Sequence, residues 1–256
     1  MAVRCVYLES DVYYVCLTHA LSTEREEIMG LLIGEIDENY SSRISAVIML
    51  RRSDKQSDRV EISPEQLSDA SQTAERLALE LKRPMRVIGW YHSHPHITVW
   101  PSHVDIRTQA MYQTMEPSFV GLIFSVFNED KTTKFNRVEV TCFQARGDSQ
   151  REEVPLHIVP SDKINSACIQ SLMGLPSILT MEEEEAYQKT TENKDLDLIT
   201  KIHNASVFTK SLCHVIDVLN GPVLQMMENR LEHNQNRIRS LQEEKQQLLQ
   251  YLREKS

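Results

Sequence analysis

His92 and His94 stand two positions apart at the end of the run Arg86-Val87-Ile88-Gly89-Trp90-Tyr91, and Asp105 follows after a loop bounded by Pro95 and Pro101. Side chains on an extended strand alternate between faces, so both imidazoles point the same way. Two imidazoles and a carboxylate suit zinc. Three protein ligands leave one tetrahedral position for water, which is the arrangement of a catalytic rather than a structural zinc site. The stretch also has a metal-free reading, because Ser102-His103-Val104-Asp105 matches the Ser-x-x-Asp start of a capped helix. Either way, Asp105 belongs to the first turn of a helix.

The combination is more specific than its parts. His92-x-His94, seven intervening residues, Ser102, two more and Asp105 resemble the H-x-H-x7-S-x2-D signature of the JAMM (MPN+) zinc metalloproteases, most of which are isopeptidases acting on ubiquitin or ubiquitin-like proteins. Upstream, Glu27-Ile28-Met29-Gly30 resembles the E-x-M-G element that carries that family's catalytic glutamate. The resemblance implies one zinc ion per chain on His92, His94 and Asp105, with Glu27 as general acid/base and Ser102 as hydrogen-bond donor to the oxyanion. Residue chemistry alone does not single out Glu27. Glu24, Glu26 and Glu27 otherwise read as a solvated charged lead into a strand.

The likeness extends to residues 62–67, 89–111 and the tail segments 201–204 and 206–210. These resemble the catalytic subunits of the BRISC complex and of the related nuclear DNA-damage complex built on an Abraxas-type scaffold. What that implies is an isopeptidase selective for lysine-63-linked polyubiquitin, located in nucleus and cytoplasm. It would act in a hetero-oligomer with further subunits, joined to an inactive MPN-domain scaffold through both its own MPN domain and a coiled coil. A non-catalytic scaffold is the alternative, against which the complete set Glu27, His92, His94, Ser102 and Asp105 speaks. A zinc nucleobase deaminase would need His-x-Glu and Pro-Cys-x-x-Cys, and neither occurs.

The elements that must position these residues follow from patterning. Residues 3–8 read as a strand, after which Ser10 caps a helix to about residue 21 with Val12, Val15, Cys16 and Ala20 inward. Residues 28–33 are apolar on both faces, as in a central strand, and 45–50 and 60–62 read as further strands. Ser63-Pro64-Glu65-Gln66 starts a helix, with Ser63 as N-cap and Pro64 at the first position, that should stop before Pro84. A helix to about 115 follows the histidines, then strands at 119–127, 137–143 and 154–159. The fold class is α/β: a catalytic domain over 1–160 with a curved mixed sheet flanked by helices, the architecture the resemblance implies.

Beyond Pro160 strand signals vanish. Residues 163–173, 179–190 and 197–219 read as helices, giving a helical region over 161–220, and Gly221-Pro222 should break the chain before a last helix over 221–256. There Leu224, Met227, Leu231, Asn234, Ile238, Leu241, Lys245, Leu248 and Leu252 recur at alternating steps of three and four, the seam of a coiled coil suited to a partner helix. The run Glu182-Glu183-Glu184-Glu185 reads as a solvated helix face, and Arg51-Arg52-Ser53-Asp54-Lys55 as a solvated loop. Residues 51–59 and 128–136 are candidate lips of a substrate groove.

Composition narrows the classes. The chain has 256 residues and a net charge of −9, which argues against nucleic acid as a direct ligand. No run approaches the roughly 18 apolar residues of a membrane span, so no membrane partner is expected and the location is read as intracellular. Five cysteines without a C-x-x-C pair read as free, packing thiols. Trp90 and Trp100 are both read as packing residues, and His96 and His103 as surface histidines.

Overall fold

The computed structural model describes residues 3–52, 64–130, 132–147, 150–161, 166–192 and 196–255. In chain order the elements are β1 (Cys5–Glu9), α1 (Ser10–Ala20), β2 (Met29–Ile36), β3 (Ser41–Met49), α2 (Pro64–Leu81), β4 (Arg86–Pro95), α3 (His103–Met115), β5 (Val120–Glu129), β6 (Asn136–Arg146), β7 (Gln150–Glu153), β8 (Leu156–Val159), α4 (Ser166–Thr191) and α5 (Leu198–Lys255). The strands form one curled mixed sheet in the order β7-β6-β5-β4-β2-β3-β1-β8.

β2 is apolar on both faces because both faces are covered. On one side α1 and α4 pack over Leu32, Ile44, Ile88 and Tyr91. On the other, α2 and α3 cover Leu31, Trp90, Ile123 and Phe143. Gly30 is required where β2 passes β4, since a Cβ there would lie 2.3 Å from the Tyr91 ring and 2.5 Å from the Ile48 carbonyl oxygen. The parallel pair β4 and β5 is joined by α3, as parallel strands require a crossover. That crossover brings the helix start carrying Asp105 back to the end of the strand carrying the histidines.

Several expectations are corrected. Ser10 is the first helical residue rather than the cap of α1, whose N-cap Glu9 makes no side-chain capping bond; the Ser10 hydroxyl instead meets that of Ser161 at 3.2 Å. The two short helices expected after Pro160 are one helix, α4, with Pro176 inside it. α5 likewise runs 58 residues without a break at Gly221-Pro222. A proline removes one backbone hydrogen bond, and the helix-forming residues on either side outweigh that loss. β7 was not anticipated, because its residues Gln150-Arg151-Glu152-Glu153 are all exposed and show no apolar alternation. The strand expected at 60–62, its neighbour Ser63 and residues 53–59 of one candidate lip lie outside the described residues. Cys16, Cys142 and Cys168 are buried as packing thiols, whereas Cys213 is exposed.

Candidate metal centre

Along β4, Trp90, His92 and His94 face α3, and Tyr91 and Ser93 face α1. Trp90 is buried and lies flat against His92, with ring centroids 4.6 Å apart and planes 18° apart. Its indole Nε1 donates to Gln109 Oε1 at 2.7 Å. The Gln109 amide in turn donates to the Phe119 carbonyl at 2.7 Å and to Gln113 Oε1 at 2.9 Å. One buried glutamine thus clamps α3 onto the histidine strand and onto the start of β5.

α3 begins with a closed capping box. The Asp105 N–H donates to Ser102 Oγ at 3.2 Å, and the Ser102 N–H donates to Asp105 Oδ2 at 2.6 Å. The carboxylate is thereby held at the helix N-terminus, where the dipole favours negative charge. Both readings of the Ser102–Asp105 segment therefore hold together: it caps the helix and it presents a carboxylate to the histidines.

His92 Nε2 and His94 Nε2 are 3.0 Å apart, His92 Nε2 lies 3.5 Å from Asp105 Oδ1, and His94 Nε2 lies 3.6 Å from Asp105 Oδ2. Two ligands at zinc-bond length in a tetrahedral arrangement stand about 3.4 Å from each other. One donor atom from each residue lies within 4.8 Å of the others, a buried cluster of metal-ligand type among the described residues that suits a single small cation. The tautomer agrees: His94 Nδ1 is 2.7 Å from the Thr98 carbonyl. It must donate there, which leaves the Nε2 lone pair facing the centre. Asp105 stays ionised. Burial pushes its carboxyl pKa up, but the His92 and His94 imidazoles beside it and the hydrogen bond from the Ser102 N–H outweigh burial and hold it well below the usual range. Burial pushes His94 down, yet Asp105, the Thr98 carbonyl and the charge of Glu27 raise it on balance. Two imidazoles and an anion converging on one point are the donor set of a divalent cation.

Glu27 is brought to this point by the segment that leads into β2. β2 pairs antiparallel with β4, Met29 opposite His92. One step on, the Ser93 N–H donates to the Ile28 carbonyl at 3.0 Å and the Ile28 N–H donates to Ser93 Oγ at 3.0 Å. Half-buried Glu27 is the residue before Ile28, and its charge is felt at His94. His92, His94, Ser102 and Asp105 therefore meet at one end of the sheet, with Glu27 just ahead of β2 and its charge felt at His94.

Trp100 departs from its expected packing role: it is 43 % exposed and carries the Arg151 guanidinium 4.2 Å above its ring. His96 and His103 are exposed, as expected. Gln109, Thr98 and Ser93 were not anticipated. Only Ser93 has a signal, as the residue between two histidines whose side chain must face the opposite side.

A buried His-His-Asp cluster at the end of a mixed sheet, within reach of a glutamate's charge, defines a metalloprotease domain of the MPN type. Residues 1–118 match the family described as JAB1/Mov34/MPN/PAD-1 ubiquitin protease, and residues 168–248 match the BRCC36 C-terminal helical domain. The Lys-63-specific deubiquitinase BRCC36 of Xenopus tropicalis is 58% identical over 258 residues, covering 99% of each chain. That of Rattus norvegicus is 54% identical over 281 residues, covering 98% of this chain and 97% of its own. The Homo sapiens protein is 50% identical over 291 residues, covering 93% and 92%. The chain belongs to the BRCC36 family of JAB1/Mov34/MPN/PAD-1 ubiquitin proteases.

Proposed function

We propose that the chain is a zinc-dependent isopeptidase that hydrolyses lysine-63-linked polyubiquitin as the catalytic subunit of a hetero-oligomer in nucleus and cytoplasm. The observation that carries this reading is the convergence of His92 Nε2, His94 Nε2 and the Asp105 carboxylate, with the charge of Glu27 felt at His94. A zinc ion held by these three residues supplies Lewis acidity toward the scissile carbonyl and toward water. Glu27 takes the proton of the attacking water and delivers it to the departing lysine amine, the task of a positioned carboxylate. Ser102 Oγ accepts from the Asp105 N–H and so keeps its own O–H to donate to the oxyanion. Trp90, buried, stacks on His92 and is itself held by Gln109.

The seam of α5 supports the assembly part of the reading. Leu231, Ile238, Leu241, Leu248 and Leu252 are all exposed in the isolated chain, and we assign them to a coiled coil with an inactive MPN-domain scaffold of Abraxas type. On this assignment 1–160 is the catalytic domain, 161–220 a helical region and 221–256 the partner-binding stretch of a helix continuous with it. No helix among the described residues is long and apolar enough to cross a membrane.

The test is to incubate the chain, alone and with such a scaffold, with ubiquitin dimers of several linkages. Cleavage of the lysine-63 dimer is expected, greater in the complex, and abolished by a zinc chelator and by Glu27→Gln. Bound zinc with no dimer cut in any assembly would overturn the isopeptidase reading. Undiminished cutting by Glu27→Gln would overturn the role of Glu27.

A further inference from the structure

Three charged stretches that composition assigns to solvent meet at one guanidinium. Arg52 follows the end of β3, and its side chain and that of Glu182 on α4 are only 12% and 2% exposed. The Arg52 N–H donates to Glu182 Oε1 at 2.8 Å, while its Nε and Nη2 donate to Glu182 Oε2 at 3.0 and 2.5 Å. The remaining arm, Nη1, donates to Glu26 Oε2. Glu182 is therefore a buried, fully engaged acid rather than part of a solvated face, and Arg52 is not in a solvated loop.

Glu26 immediately precedes Glu27, and residues 21–28 belong to no helix or strand. The residue on the other side, Ile28, is held by Ser93 of the ligand strand. Glu27 thus sits between two anchors, one on β4 and one on Arg52. We propose that Arg52 is a positioning residue for Glu27, tying the segment 24–27 to α4 so that the placement of the base follows the position of the tail helices. This rests on the reading of Glu27 as the base. Only a planar fork can serve both carboxylates at once, which is why an arginine stands here rather than a lysine. α4 is in turn packed on α5, where Tyr187 and Phe208 stack with centroids 4.7 Å apart. Whatever binds α5 therefore acts on the base through α4, Glu182 and Arg52.

A control lies one turn along the same helix. Arg51 Nη1 donates to Glu185 Oε1 at 2.6 Å, both side chains are well exposed, and neither is paired with Glu26. The experiment compares Glu26→Gln, Glu182→Gln and Glu185→Gln in the chain assembled with its scaffold, measuring kcat and KM on lysine-63 ubiquitin dimer, zinc content, and amide hydrogen exchange of residues 24–28. Glu26→Gln and Glu182→Gln are expected to lower kcat about 10- to 100-fold, the scale of a misplaced catalytic group, with KM and zinc content unchanged and exchange at 24–28 faster. Glu185→Gln changes none of these. Unchanged kcat in Glu26→Gln, the variant least able to disturb folding, overturns the proposal, as does a loss that arrives only together with loss of zinc. Should the wild-type complex cut no ubiquitin dimer, the functional reading fails on its own; exchange at 24–28 then decides the anchoring, and unchanged exchange in both variants rejects it.

Discussion

Gln109 joins α3, β4 and the start of β5 through one amide, so replacing it tests how far the metal ligands depend on what lies behind them. Gln109→Leu keeps the volume but leaves the Trp90 indole N–H without its acceptor; the Phe119 carbonyl retains a donor in Gln144. One buried orphan costs about 1 to 3 kcal/mol, visible as a lower thermal midpoint. Because Trp90 backs His92, zinc affinity should fall about 10- to 100-fold, as for other groups that orient ligands. A competition titration with unchanged affinity would show that the clamp is structural only. A second residue reports on pH. Burial, with the nearby Arg52 charge, holds His19 down to about 3, and its Nδ1 is 2.8 Å from the Tyr91 hydroxyl. The unfolded chain binds a proton there below about 6.5 while the fold refuses it, so stability falls as pH drops from about 6.5 toward 3, at about 1.4 kcal/mol per pH unit. Urea unfolding at pH 7.5 and pH 5 should therefore show the wild type losing about 2 kcal/mol more than His19→Gln; equal losses would refute the assignment. His92, His94 and Asp105 were legible because alternation and capping are local. The partners of Gln109, Arg52 and His19 were not, since each depends on chain segments remote in sequence meeting inside the fold.

At the level of elements, the site is one strand end, one helix start and one register. The helix start carries two roles on a single hydroxyl, and substitution separates them by size. Ser102→Ala removes the acceptor for the Asp105 N–H, which should lower stability by about 1 kcal/mol, the usual value of an N-cap. If the hydroxyl also serves the oxyanion, kcat falls about 100- to 1,000-fold, far beyond what the cap can explain in a protein still folded at assay temperature. A kcat loss no larger than the stability loss would leave Ser102 as a cap alone. The strands were readable wherever one or both faces are buried, as in β2, β4 and β5. β7 was not, because an all-exposed edge strand has no pattern. The nearness of the segment before β2 to the histidines rests on the antiparallel pairing of β2 with β4, and patterning that shows both to be strands does not show that they are neighbours. Helix breaks were overread for a related reason. A proline costs one backbone hydrogen bond, and the surrounding helical residues carry α4 and α5 past positions 176 and 222.

For the whole molecule the question is what α5 is for beyond its contact with the catalytic domain. That contact includes Val215, buried in the core with α1, and Arg230, paired with Asp11 of α1 in a largely buried ion pair. C-terminal to it, Ile238, Leu241 and Leu248 are each more than half exposed. At 1.5 Å per residue, the 58-residue helix extends about 87 Å. Leucines left open along one seam contribute nothing to the fold of this chain, so charging them should leave it intact. Leu241→Asp combined with Leu248→Asp should thus keep the thermal midpoint and zinc content of the isolated chain. Each leucine buried in a coiled coil contributes about 1.5 to 3 kcal/mol, so together they should weaken assembly with the scaffold about a thousandfold, measured by light scattering on the mixed proteins. If instead the isolated chain melts earlier, the seam is packed on its own chain in solution. If assembly survives with its affinity intact, the scaffold is held through the catalytic domain alone, and the route from α5 through α4 and Arg52 to Glu27 would have no partner to drive it.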